Sequence, residues 1–186
     1  MPQAPQPVTK GHSIILIGMM GCGKTTVGKE LGKATGMPLL DMDAVIEEQR
    51  GKSIPEIFRD EGEVHFRALE TALLQYLVGT AGTKPPAIIS TGGGVVGRAE
   101  NRALLRQLGL VVWLDVDVHT LLSRTARTSN RPLLKTPNRR QTMERLLAER
   151  EPLYAETAHL RLPGARMDVA QITAAVRREA ALFFGK

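Results

Sequence analysis

The sequence has little that could build a disulfide, a membrane span or an export signal. One cysteine, Cys22, stands among 186 residues, so no internal disulfide can form, and a reducing cytoplasm is the expected compartment. No apolar stretch approaches the roughly 20 residues that cross a bilayer, so no membrane partner is expected. The opening Met1-Pro2-Gln3-Ala4-Pro5-Gln6-Pro7 lacks the apolar core of a signal peptide. Residues 1–12 are therefore expected to be a disordered leader ahead of one domain, 13–186. Internal repeats are absent as well. What remains, 42% hydrophobic and 24% charged residues, is the composition of a soluble globular protein.

Acidic residues are scarce in one place. Arg124 to Arg150 holds eight basic residues against Glu144 and Glu149, a net +6 that equals the charge of the whole chain. Such an excess brings nucleic acid into consideration. Guanidinium groups concentrated in one segment also suit the phosphates of a bound nucleotide and its acceptor. That second use is the expectation here, because the next motif binds phosphate.

Gly18-Met19-Met20-Gly21-Cys22-Gly23-Lys24-Thr25 fits G-x-x-x-x-G-K-[ST]. It follows the apolar run Ser13–Ile17 and leads into Val27, Leu31 and Ala34 at helical spacing, the strand–loop–helix order that a P-loop requires. The glycines allow backbone N–H groups to turn inward as an anion nest, and the helix start adds its positive dipole end. Gly21, Cys22, Gly23, Lys24, Thr25 and Thr26 are thus expected to bind ATP, with Lys24 on the β- and γ-phosphates and Thr25 on Mg²⁺. Cys22 has two readings, a thiolate favoured by the helix dipole and Lys24, or a small residue tolerated in a tight loop.

Further on, apolar runs alternate with helical patterns. Strands are expected at Met37–Asp43, Ala87–Thr91, Leu110–Asp115 and Leu160–Leu162, and helices at 44–50, from Pro55, 63–78, 98–108, after Asp117, 139–156 and after Asp168. This order predicts an α/β fold: a single-domain, three-layer α/β/α sandwich on a five-stranded parallel sheet, with ligands at the carboxyl ends of the strands. Asp41 and Asp43 sit two apart at such an end, where one suits Mg²⁺ through water and the other the proton of an attacking hydroxyl; taken alone, the pair reads better as turn and helix-capping residues. Asp115 is a rival metal ligand whose favoured reading is a helix cap, and Ser90 or Thr91 could hold a metal-bound water. Trp113 reads as core, and His65 has no metal-ligand partner at useful spacing. The polar, proline-broken stretch Thr128–Asn138 reads as part of a mobile lid over about 124–138.

The ordered set Asp41-Met42-Asp43, Gly62-Glu63, Phe66-Arg67 with Glu70, Gly92-Gly93-Gly94, Arg131-Pro132-Leu133 and Arg150 with Pro152-Leu153-Tyr154 resembles the shikimate kinases, of the nucleoside-monophosphate-kinase-like group of P-loop folds. The resemblance runs from about Ser13 to the final helix and implies ATP-dependent phosphorylation of the 3-hydroxyl of shikimate, on the route to chorismate and aromatic amino acids. It implies that Asp43 holds the ring hydroxyls and orients or deprotonates the attacking one, and that Arg67 and Arg150 clamp the carboxylate. Glu70 would steady Arg67, and Gly92, Gly93 and Gly94 would bring backbone N–H groups to the substrate. Asp41 would assist one Mg²⁺ ion together with Thr25, while Lys24 and Arg131 would act on the transferring phosphate, the latter from the lid. Arg124 would lie near the adenine and its phosphates, with Pro163–Arg166 close to the base; Arg139, Arg140 and Arg145 read as solvated surface. The implied partners are ATP and shikimate, without nucleic acid, and the enzyme is expected to be a monomer. The competing readings are a gluconate or nucleoside-monophosphate kinase and, from another class, a nucleotide switch or nucleic-acid-associated ATPase.

Overall fold

Continuous apolar runs leave a strand no polar face to turn to water, so they are stable only between two layers of helices. The computed structural model, which describes residues 12–126 and 136–185, has this arrangement. Strands β1 (Ser13–Ile17), β2 (Leu39–Asp41), β3 (Ile88–Ser90), β4 (Gly109–Asp115) and β5 (Leu160–Pro163) form one parallel sheet in the order β2-β3-β1-β4-β5. Ile15 through Ile17 and Leu110 through Val112 are completely buried, which puts the core on the two central strands.

Helices α1 (Lys24–Thr35) and α7 (Val169–Phe184) pack together on one side. On the other, α4 (Ala99–Leu108) packs with α3 (Ile54–Gly79) and α6 (Arg139–Thr157). Two smaller helices, α2 (Met42–Arg50) and α5 (Val118–Thr125), complete the set, with α5 against α6. Local chemistry starts several of them. Asp117 accepts from Thr120 N–H at 2.9 Å to cap α5, and Asp168 accepts from Gln171 N–H at 2.7 Å to cap α7. At the head of α3, Glu56 accepts from both the backbone N–H and the hydroxyl of Ser53.

Three element boundaries and one residue differ from the sequence reading. The expected strand 37–43 stops at Asp41, because Asp41 caps α2 and thereby moves Asp43 into the first helical turn. The two helices expected on either side of Gly62 run on as α3, broken only at Gly62, where φ is 83° and ψ is 166°. A 3-10 turn, Val95–Gly97, follows the glycine triplet. Arg139 is not a solvated surface residue: its Nη2 donates to Thr125 O at 2.8 Å, satisfying the end of α5. The central part of the expected lid, with Arg131, and the expected leader apart from His12 lie outside the described residues.

Candidate active site

The carboxyl ends of β1, β2 and β3 open into a cleft of about 880 Å³. Gly21 to Thr26, Asp41, Asp43, Arg67, Gly92 to Gly94, Arg124 and Arg150 all line it. These are the expected site residues without exception among the described residues, gathered from six separate stretches of chain.

At one end lies the P-loop. Gly21 and Gly23, with φ of 81° and 102°, take the left-handed backbone that lets the loop curl beneath the start of α1. Lys24, only 8% exposed, donates from Nζ to Gly18 O at 2.8 Å and Met19 O at 3.0 Å. Its ammonium therefore sits within the loop that would receive phosphates. Arg124 reaches the same loop, donating to Cys22 O at 3.3 Å. Cys22 is 3% exposed, as the small-residue reading expects, while its Sγ accepts from Lys24 Nζ at 3.6 Å, as the thiolate reading expects. Met19 and Met20 are buried packing residues.

Next to the loop, Thr25 donates its hydroxyl to Asp41 Oδ2 at 3.0 Å and lies 3.5 Å from Ser90 Oγ. Asp41 Oδ1 meanwhile accepts from the N–H groups of Asp43 and Ala44 at 3.1 and 3.4 Å. The capping and metal-site readings of Asp41 are thus compatible, one oxygen for each. Hard oxygen donors with few protein carboxylates suit Mg²⁺, which keeps several waters. Among the described residues no cluster of three His, Cys, Asp or Glu side chains offers a competing metal site. Thr91 instead donates to Leu16 O at 2.9 Å, leaving Ser90 as the hydroxyl on this side. Asp115 is neither a metal ligand nor a cap: it accepts from Arg161 Nη2 at 2.8 Å, outside the cleft.

At the other end the glycine triplet crosses a cluster of charges. A Cβ on Gly92 would lie 2.7 Å from Glu70 Oε1 and 3.0 Å from Asp43 Oδ1. One on Gly94 would collide with the Arg67 guanidinium, 2.5 Å from Cζ. A side chain at either position would push these charged groups out of place. The loop is held from behind by Tyr154, whose hydroxyl donates to Gly93 O and whose ring stacks on Trp113 at 5.7 Å. Burial pushes the Tyr154 phenol well above its usual pKa, so it stays a donor.

Arg67 donates from Nη1 to Glu70 Oε2 at 2.8 Å, the i,i+3 pair expected from sequence. Its Nε and Nη2 also donate to Glu63 Oε1, at 3.2 and 2.9 Å, which sequence reading did not assign. Burial opposes the Arg67 charge, but Glu70 and Glu63 outweigh it and hold the pKa above its ordinary value. For the fully buried Glu70, burial pushes the carboxyl up and the Asp43 charge adds to the rise, against the pull of Arg67 and Arg150. Arg150 is 8% exposed and lies beside Gly93. On the nucleotide side, Gly164 lines the cleft as expected, but its other contributors there are Met167 to Val169 and Ile172 at the start of α7. No local pattern signals those, because their place depends on how α7 docks on α1.

The family model of shikimate kinase matches residues 20–180. A shikimate kinase of Thioalkalivibrio sulfidiphilus is 45% identical over 92% of this chain and 88% of its own. That of Novosphingobium aromaticivorans is 46% identical over 78% and 76%, respectively. Among solved structures, a shikimate kinase from Acinetobacter baumannii in complex with shikimate superposes with a TM-score of 0.82 at 40% identity, covering 93% of both chains. Identity at this level over nearly the full length, together with a charge cluster and P-loop at the carboxyl ends of the strands, places the chain in the shikimate kinase family.

Proposed function

We propose that this cleft transfers the γ-phosphoryl group of Mg²⁺·ATP to the 3-hydroxyl of shikimate, giving shikimate 3-phosphate and ADP, as a cytoplasmic monomer. The observation that carries the reading is that Asp43 lines one continuous cleft together with the P-loop and the Arg67–Arg150 pair. A small acid with ring hydroxyls fits there, its carboxylate on two guanidinium groups and a hydroxyl near Asp43. Planar, permanently charged forks suit that carboxylate.

Phosphoryl transfer asks the protein for position and for neutralised charge rather than for covalent chemistry. Lys24 and the N–H groups of the P-loop hold the β- and γ-phosphates, and Thr25 with Asp41, directly or through water, would hold the metal ion. Held there, it would supply positive charge to offset the negative charge that develops during transfer. Asp43 orients the attacking hydroxyl and accepts its proton as the new ester bond forms. Gly92 to Gly94 bring the backbone against the ring where a side chain would not fit. Arg124 serves the nucleotide, and Arg131 is assigned to the transferring phosphate from its motif alone.

Among the described residues of the basic segment, each arginine has a use other than nucleic acid. Arg124 and Arg150 belong to the cleft, Arg139 closes α5, and Arg140 and Arg145 pair with Glu144 and Glu149 one helical turn away. Among the described residues no helix is long and apolar enough to cross a membrane.

A coupled ADP-release assay with shikimate, gluconate and nucleoside monophosphates tests the acceptor. ADP should appear with shikimate and not with the others; release with gluconate or a nucleotide alone would replace this reading by one of its rivals. In the same assay Arg67→Ala should raise the shikimate KM about 10²-fold, roughly 2.7 kcal/mol, and move the ATP KM less than about twofold. Arg67→Lys, which keeps the charge opposite buried Glu70 but loses the fork, should fall between. An unchanged shikimate KM in both variants would remove Arg67 from the clamp.

A further inference from the structure

Arg67 carries more negative charge than a substrate clamp needs. Glu70 takes Nη1 and Glu63 takes both Nε and Nη2, so one of the two edges that match a planar carboxylate is already filled. The two glutamates differ in freedom. Glu70 is completely buried, whereas the Glu63 side chain is 48% exposed and stands one helical turn before Arg67 on the solvent side. Around the proposed carboxylate position two guanidinium groups, Arg67 and Arg150, then face three carboxyl groups, Asp43, Glu63 and Glu70. A further carboxylate arriving there is disfavoured unless one of the three withdraws.

Only Glu63 has somewhere to go. A second pocket of about 300 Å³ adjoins the cleft and is lined by Glu63, Arg67, Arg98, Glu149 and Arg150 among others. Arg98 enters it from beyond the glycine triplet, with Nη1 on Thr71 Oγ1 at 3.2 Å and Nη2 within 3.5 Å of Val64 O, the residue after Glu63. Among the described residues no carboxylate forms an ion pair with Arg98. Glu149, the other acid on this pocket, is taken by Arg145 at 2.9 Å.

We propose that Glu63 is an exchangeable counter-carboxylate: it holds Arg67 until the acid group of the substrate displaces it, and then transfers to Arg98. Glu63 is thus a positioning residue that sets how tightly the acid is bound, an inference that rests on the proposed substrate reading. The exchange keeps the Arg67 fork in place beforehand and costs affinity for the acid when it arrives.

The test is titration calorimetry of shikimate against the wild-type protein, Glu63→Gln, Arg98→Gln and the double variant. Glu63→Gln should bind shikimate about three- to tenfold more tightly, the range for losing a partly exposed competing ion pair. A merely structural glutamate would give weaker binding on removal, so the sign separates the two. Arg98→Gln should weaken binding about two- to fivefold, and should have no effect once Glu63 is Gln. Equal or weaker binding by Glu63→Gln overturns the proposal, as does an Arg98 effect of the same size in both backgrounds. Failure of the wild-type protein to bind shikimate at all would instead count against the substrate reading.

Discussion

Asp43→Asn will lower kcat by about 10³-fold, roughly 4 kcal/mol of transition-state stabilisation, with the ATP KM moved less than about threefold. The size follows from losing an acceptor for the hydroxyl proton while retaining the same shape. Asparagine keeps the side-chain volume, and the Asp43 backbone N–H still donates to Asp41 Oδ1, so the start of α2 is not disturbed. Glu70 cannot take over. It is fully buried, its Oε2 is committed to Arg67, and burial raises its carboxyl pKa. Initial-rate kinetics with a coupled ADP assay reads the result. Retention of more than about a tenth of wild-type turnover would take Asp43 out of the chemical step and leave it a ring-hydroxyl ligand.

Lys24→Met should be as damaging, lowering kcat by about 10³-fold or more, because a preorganised positive charge on the transferring phosphate acts where water is excluded. Methionine preserves most of the apolar stem, so the expected effect is electrostatic. Lys24→Arg should not rescue. The ammonium donates to two loop carbonyls in a site where the residue is 8% exposed, and a planar fork has neither the room nor the geometry for it. Thermal melts would show whether either variant is folded; a folded Lys24→Met protein with near-normal turnover would contradict the role assigned to this residue.

Much of this molecule was legible without coordinates, for physical reasons that vary by element. The buried strands β1 and β4 announce themselves as unbroken apolar runs, and the caps at Asp117 and Asp168 are local chemistry. Asp43 was found as a site residue but placed on a strand end. Local spacing leaves the metal-site and helix-capping readings of Asp41 both open, and its two capping bonds decide the boundary. Asp115 was misread because its partner, Arg161, lies on the neighbouring strand β5, and a cross-strand pair leaves no mark in the spacing of either. Arg139 looked like surface because a helix terminus needing a donor is visible only once α5 and α6 are packed. Glu63 was hidden in another way. It stood inside a recognised motif, but its competition for the Arg67 fork is a matter of which N–H groups it takes.

The central claim is that one cleft delivers phosphate to a particular hydroxyl of a small carboxylic acid. Phosphorus–carbon correlation NMR on the product of wild-type enzyme, Mg²⁺·ATP and shikimate addresses it most directly. The account predicts a single new phosphomonoester on the 3-oxygen, formed in equal amount to ADP. Phosphate on another ring oxygen, or ADP released without any phosphorylated shikimate, would contradict it.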